Sequence, residues 1–132
     1  PSIVAMARGL LIWLLIMLAE TVHGMLRGLF LAPLVGAAAA ERIGWPIGAA
    51  LVIGIAALTI RWAGLTARWQ LLALGTVWAV LTVGFEAIIG MLRGLDTQAM
   101  LAELNPLTGS IVWSAALMLA VPLVAARMRG VT

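Results

Sequence analysis

The chain contains no cysteine, no lysine and a single histidine, and only five of its 132 residues are acidic. Without thiols there is neither a disulfide framework nor a cysteine-based metal site. Charged residues make up 10% of the sequence, where a soluble domain carries about a quarter. No polar stretch is long enough to form a separate aqueous domain. A nucleophile paired with a base, a phosphate-binding loop and a metal-ligand cluster are all missing, so the sequence points away from an enzyme and calls for neither a cofactor nor a metal. What remains is overwhelmingly apolar: 64% of residues are hydrophobic, and the mean hydropathy is strongly positive. Together these describe an integral membrane protein, read here as one membrane domain over residues 1–132.

A bilayer core needs about 20 apolar residues per helix, and four windows qualify, near 5–29, 44–61, 70–93 and 107–126. The first apolar run leads into further membrane segments and not into an exported domain, which argues against a cleaved signal peptide. Connections are short, so successive spans are expected to be antiparallel. Arg8, Arg61, Arg68, Arg127 and Arg129 fall on the side of the termini, whereas the other side holds Glu41, Arg42, Asp96 and Glu103. Arginines at span ends describe topology and not nucleic-acid binding. The positive-inside rule then puts both termini in the cytoplasm. Trp45, Trp62, Trp69 and Trp113 stand near span ends like an aromatic belt; Trp13 and Trp78 lie deeper, as packing residues.

The sequence also aligns with itself. A shift of 66 residues, the step from Glu20 to Glu86, superimposes Gly9 on Gly75, Gly24–Leu29 on Gly90–Leu95, Ala49–Leu51 on Ala115–Leu117, Arg61 on Arg127 and Gly64 on Gly130 without a gap. Apolar coincidence could explain alanines and leucines, but it explains poorly the charged identities Glu20/Glu86, Arg27/Arg93 and Arg61/Arg127. The expected architecture is therefore all-α, with four transmembrane helices built from two tandem two-helix repeats, 1–66 and 67–132. An even number of spans per repeat inserts both in the same sense, the parallel-repeat arrangement.

The pentapeptide GMLRG occurs in both repeats, each time four residues after a glutamate. Glu20, Gly24, Arg27 and Gly28 stand at i, i+4, i+7 and i+8, on one face of the first span, and Glu86, Gly90, Arg93 and Gly94 repeat the pattern in the third. The glycines form small-xxx-small pairs that admit a second backbone. Ala50 with Gly54 and Ala116 with Ala120 offer further seams. Each arginine leans back toward a glutamate across a rise of about 10 Å, so a cross-linked quartet of acids and arginines is geometrically allowed. An unpaired charge at a helix centre costs about 2.5–3.5 kcal/mol on insertion scales. Counting from Arg8 puts Glu20 about 18 Å deep, and counting from Arg68 puts Glu86 about 27 Å deep, which together place the stripe in the outer half of the membrane. Three readings stand: buried ion pairs that set helix register, a polar pathway using Glu20, His23, Arg27, Glu86 and Arg93, or a snorkelling arrangement that does neither.

His23 breaks the symmetry, since Ile89 occupies the matching position. With Glu20 it forms Glu-x-x-His, a spacing used in di-metal bundles, but a lone histidine supplies too thin a ligand set. Hydrogen bonding to the stripe, a proton relay, and metal or pigment ligation are its three possible roles. Between the spans, residues 96–106 read as a short interfacial helix capped near Asp96 or Thr97 and stopped before Pro106, with Met100, Leu101 and Leu104 on its apolar side. Its counterpart, residues 30–40, is almost wholly apolar and reads as an interfacial, reentrant or docking segment. Pro46 suits the first turn of the second span, and Pro122 should kink the fourth.

The run Ala19-Glu-Thr-Val-His-Gly-Met-Leu-Arg27, continued by Leu31-Ala-Pro-Leu-Val-Gly36, resembles the first span of small four-span bacterial membrane proteins with an AETVHG-x-LR signature. Phe85-Glu86 and Ala125-Ala126-Arg127 echo it more weakly. The resemblance implies a bacterial inner-membrane protein and brings no catalytic or ligand residue with it. Two functions follow as expectations: an oligomeric transporter or channel for a small cation or proton, or an accessory subunit of a larger membrane complex. The partners expected are the lipid bilayer and either further copies of the chain or other membrane subunits.

Overall fold

The computed structural model describes residues 3–132, and every regular element among them is helical. Helix α1 spans Ile3–Leu26 and runs through a π-helical turn, Arg27–Leu31, into α2, Ala32–Val35. After Gly36 come α3 (Ala37–Ala63), α4 (Arg68–Leu92), the short α5 (Thr97–Leu104) and α6 (Ile111–Met128). Four stretches are long and apolar enough to cross a membrane: Ile3–Val35, Ala37–Ala63, Arg68–Leu92 and Ile111–Met128.

The first span is longer than its apolar window suggested, and the reason is local. Pro33 has no N–H to offer and its ring crowds the preceding turn. The backbone widens there instead of ending: the Ala32 N–H reaches the Arg27 carbonyl, a five-residue step. The helix finally stops at Gly36, whose φ of +87° is open to glycine and strained for other residues. Ala37–Ala40 are good helix formers and start α3 at once. The segment 30–40, expected as an interfacial linker, is thus helical except at Gly36. Pro46 consequently lies inside α3, not in its first turn.

The second connection follows the sequence closely. Gly94, with φ +80°, lets the Leu95 N–H bond the Gly90 carbonyl at 3.1 Å, which closes α4. Asp96 then caps α5 by accepting from the Ala99 N–H at 2.8 Å. An Asn105 turn, in which Oδ1 accepts from the Leu107 N–H at 2.9 Å, delays α6 to Ile111.

Helix α1 packs on α3, α3 on α6 and α6 on α4, and α1 meets α4 over a short stretch only. That stretch is specified by two indoles. Trp78 Nε1–H donates to the Gly9 carbonyl at 3.0 Å, and Trp13 Nε1–H donates to Thr82 Oγ1 at 3.0 Å. The pairs 9/78 and 13/82 advance together along both helices. Phe85 meets Trp13 edge to face at 6.3 Å. Around these contacts lies the apolar core, in which Ile16, Ala56, Ile60, Leu71, Leu74 and Trp78 are fully buried. Most of it sits in the half of the bundle nearest the chain termini.

Arg8, Arg61 and Arg129 at that end bind backbone carbonyls of neighbouring helices. Arg8 donates to the Trp62 carbonyl at 3.0 Å and lies over its ring; Arg61 donates to the Arg129 carbonyl at 2.7 Å, and Arg129 to that of Ala57 at 2.9 Å. Cations there meet the negative end of the helix dipole. On the outside, Leu14, Leu18, Leu58 and Val80 are more than half exposed, as side chains facing acyl tails would be.

The tightest helix contact is α4 on α6, where the Leu119 carbonyl occupies the space a Gly75 side chain would need. Ala50, Ala116 and Ala120 face outward, and Gly54 has open space around it, so those expected seams are unused within the chain. Gly75→Ala should destabilise the bundle by about 1–3 kcal/mol, because backbone cannot yield as a side chain can. Gly84, in the same helix, has nothing near it, and Gly84→Ala should be neutral or slightly stabilising. Thermal unfolding of both variants in detergent checks the contrast; equal melting temperatures would contradict it.

Candidate functional site: a charged cavity between the helices

Beyond the Trp13–Thr82 hydrogen bond, on the side away from the termini, α1 and α4 no longer fill the bundle. The space between them and α3 and α6 is a cavity of about 650 Å³. Thr82 lies at its base, 2% exposed. Glu20, His23 and Arg27 line it from the first span, and Glu86 and Arg93 from α4. The sequence therefore named every ionisable wall residue except Glu41 of α3. A shallower hollow of about 730 Å³ shares Glu41, Trp45 and Ser110 with the cavity and continues outward past Glu103.

Helix α3 makes room for the charges by presenting bare backbone. Its buried stripe runs Ala40, Gly44, Gly48, Val52, Ala56 and Ile60, one residue per turn. A methyl group on Gly48 would stand 3.0 Å from Glu20 Oε2 and 3.6 Å from His23 Cε1. One on Gly44 would stand 2.8 Å from Arg27 Cδ and 3.5 Å from His23 Cε1. Glu20, His23 and Arg27 thus stack along the glycine notch, with the imidazole in the middle.

The second half builds a different environment at the same register. The same 66-residue shift that carries Glu20 to Glu86 carries Gly44 to Ser110 and Gly48 to Ser114. The Ser114 hydroxyl faces Glu86, on which the charges of Glu20 and Glu103 also act. Where the first half has a histidine over glycine, the second has Ile89 and a serine. Glu20 Oε1 and Glu86 Oε2 are both buried and lack a hydrogen-bond partner. Each acid is short of one donor, which a proton, a water or a ligand N–H could supply.

The expected quartet of ion pairs does not form. Arg27 acts on Glu20 through space, but no carboxylate and guanidinium of the described residues close into an ion pair. The stem of Arg27 is laid across Gly44, and His23 stands between it and Glu20. Arg93 is the C-cap residue of α4 and exposed at the outer end of that helix.

The four glycines singled out in the sequence have different surroundings. Gly90 is buried, and a methyl group there would meet Met100 Sδ of α5 at 2.8 Å. Gly94 is a helix stop with φ +80°. Among the described residues, a methyl group on Gly28 would meet no neighbouring helix or side chain within 4 Å, and one on Gly24 only Arg27 Nη2, at 4.0 Å, so no described helix closes on that pair. The close approach falls instead to Gly44 and Gly48, which sequence reasoning missed. Two signals could have found them: the four-residue spacing of small residues from Ala40 to Gly48, and the match of these glycines with the serines 66 residues later.

If His23 is what separates the charges, its removal should let them meet. A double-mutant cycle of Glu20→Gln and Arg27→Gln, read by unfolding in detergent, should give a coupling about 1 kcal/mol larger in His23→Ala than in the native chain. The same coupling in both backgrounds would rule out the spacer role.

Neither a protein-family model, nor a curated protein, nor a solved structure matches the chain, so the chemistry of the cavity has to be read from its own residues.

Proposed function

We propose that this chain is a small multi-pass transport protein that moves a proton or small cation by way of Glu20 and Glu86. Its setting in this reading is the bacterial inner membrane, with both termini cytoplasmic. Arginines gathered at one end of the bundle and the AETVHG-x-LR resemblance support that setting. Two tandem repeats in parallel orientation account for the paired acids, and the equivalence of Gly44 and Gly48 with Ser110 and Ser114 on the facing helices supports that duplication.

The observation that carries the transport reading is that two membrane-depth carboxylates, each with one buried oxygen lacking a donor, share one cavity. Ionisable groups inside a membrane protein are costly, and a reversible cargo is a physical reason to keep them. The cavity continues outward into the hollow around Trp45 and Glu103, while Ile16, Ile60, Leu74 and Trp78 seal its inner side. One open and one closed side fit a carrier better than a continuously open channel.

A second reading, an accessory subunit of a larger complex, is favoured by one feature. Gly24 and Gly28 are uncovered beside the apolar Leu29, Phe30 and Leu34, which are 65%, 66% and 82% exposed. Small residues flanked by such side chains suit another helix, either from a second copy, as an oligomeric transporter would need, or from a foreign subunit. Purification in mild detergent separates the two: a symmetric oligomer supports the transporter, and stoichiometric foreign subunits support the accessory role.

Glu20→Gln combined with Glu86→Gln should reduce cation or proton flux in proteoliposomes to background while leaving helix content and elution volume unchanged. Undiminished flux in the folded double variant would reject the transport role of these acids.

A further inference from the structure

The charges of the cavity are layered by sign. Glu20 and Glu86 form a deep negative layer, and Ser114 adds a hydroxyl beside Glu86. Arg27 stands above it. Its Nη2 lies 4.0 Å from the position of a Gly24 Cβ, so the guanidinium hangs at the level of Gly24, one turn or about 6 Å along the axis from Glu20. Arg93 lies on the same outward side, at the end of α4. Because the layers do not join in ion pairs, the cavity holds two acids and the Arg27 guanidinium without close counter-charges, and ionising the acids in these largely apolar surroundings is costly without a partner.

An inorganic cation answers only half of this. It would leave the arginine layer without a counter-ion. A hard divalent cation also wants six to eight oxygen ligands, or six for magnesium, and the deep layer offers two carboxylates and the hydroxyls of Ser114 and Thr82, the latter already accepting from Trp13. Among the described residues no group of three metal-binding side chains comes together. A primary ammonium fits better: its N–H donors match two donor-short carboxylates and a hydroxyl. The volume, about 650 Å³, is that of a small-molecule site and not of a single ion.

We propose that the cavity binds a zwitterionic small molecule, its ammonium between Glu20 and Glu86 and its anionic group on Arg27, with the two charges about one helical turn apart. This rests on the transport reading only in taking the cavity as the binding site, and departs from it in the cargo, a zwitterion in place of a proton or small cation. Binding exchanges two unpaired layers for two charge-assisted contacts. Phe85 and Met118 supply apolar wall for the carbon chain between the charges. His23 holds Arg27 and Glu20 apart, which keeps the gap open for the ligand. At the mouth Glu41 is the remaining acid, on the outward side of Gly44.

Calorimetric titration of the full chain in detergent tests this with δ-aminovalerate, whose extended chain matches the spacing, and with pentylamine and valerate, which each carry one of its charges. δ-Aminovalerate should bind at least about tenfold more tightly than either, as expected if each charged contact contributes about 1.5–3 kcal/mol. Glu20→Gln with Glu86→Gln should abolish its binding, Arg27→Gln should weaken it about tenfold, and Arg27→Lys should restore most of it; helix content and elution volume confirm that each variant is folded. Equal binding of pentylamine with no effect of Arg27→Gln would overturn the proposal in favour of a simple cation site. Failure of δ-aminovalerate, and of its shorter and longer homologues, to bind would overturn it outright. Glutamate-dependent ion flux without zwitterion binding would defeat this inference alone, whereas zwitterion binding without such flux would support it and defeat the proton or small-cation reading.

Discussion

Glu20 rests on the bare backbone of Gly48, and much of the molecule follows from that contact. A carboxylate on a membrane-length helix has nowhere to go among acyl chains, so it must turn toward another helix. A helix of ordinary residues would hold it off. The glycine notch of α3 lets the acid, the imidazole of His23 and the stem of Arg27 lie flat between two helices. The same notch removes the side chains that would otherwise have filled the bundle at this level, and the cavity is the result.

The two ends of the bundle are therefore built on different principles. Near the termini, indole hydrogen bonds and a dense apolar cluster join all four long helices. At the other end, polar side chains face each other across open space, and the connections are of unequal kind. The first span runs on through a π-helical turn, and the second hairpin is stopped by Gly94 and bridged by α5. A well-packed base beneath a loosely packed, charged upper half can hold a site rigid on one side and leave it accessible on the other.

The two halves also divide their chemistry. Histidine over glycine in one half answers isoleucine beside serine in the other, at matched positions of one register. Each acid keeps a nearby polar side chain, but of a different kind: an imidazole for Glu20 and a hydroxyl for Glu86. A site with two unlike acids can distinguish the ends or faces of what it binds, which a symmetric pair could not. Neither acid is locked in an ion pair, so both are available to a ligand.

The four membrane-length apolar helices, the capped α5 and the ionisable cavity residues Glu20, His23, Arg27, Glu86 and Arg93 were legible in the amino-acid sequence. Hydropathy, helical spacing and Asp96 before an apolar-sided turn act locally, and a self-match at 66 residues needs no fold to be seen. Only the tertiary structure decided what those residues face. The pairing of Arg27 with Glu20 was allowed by spacing along one helix, but the stem of Arg27 lies across Gly44 and the carboxylate of Glu20 against Gly48, with His23 beside both glycines. The choice of Gly44 and Gly48 over Gly24 and Gly28 as the close-packing pair was likewise made by which faces of α1 and α3 meet. Helical periodicity says which side chains share a face; it does not say what covers that face, because the covering atoms come from a distant part of the chain.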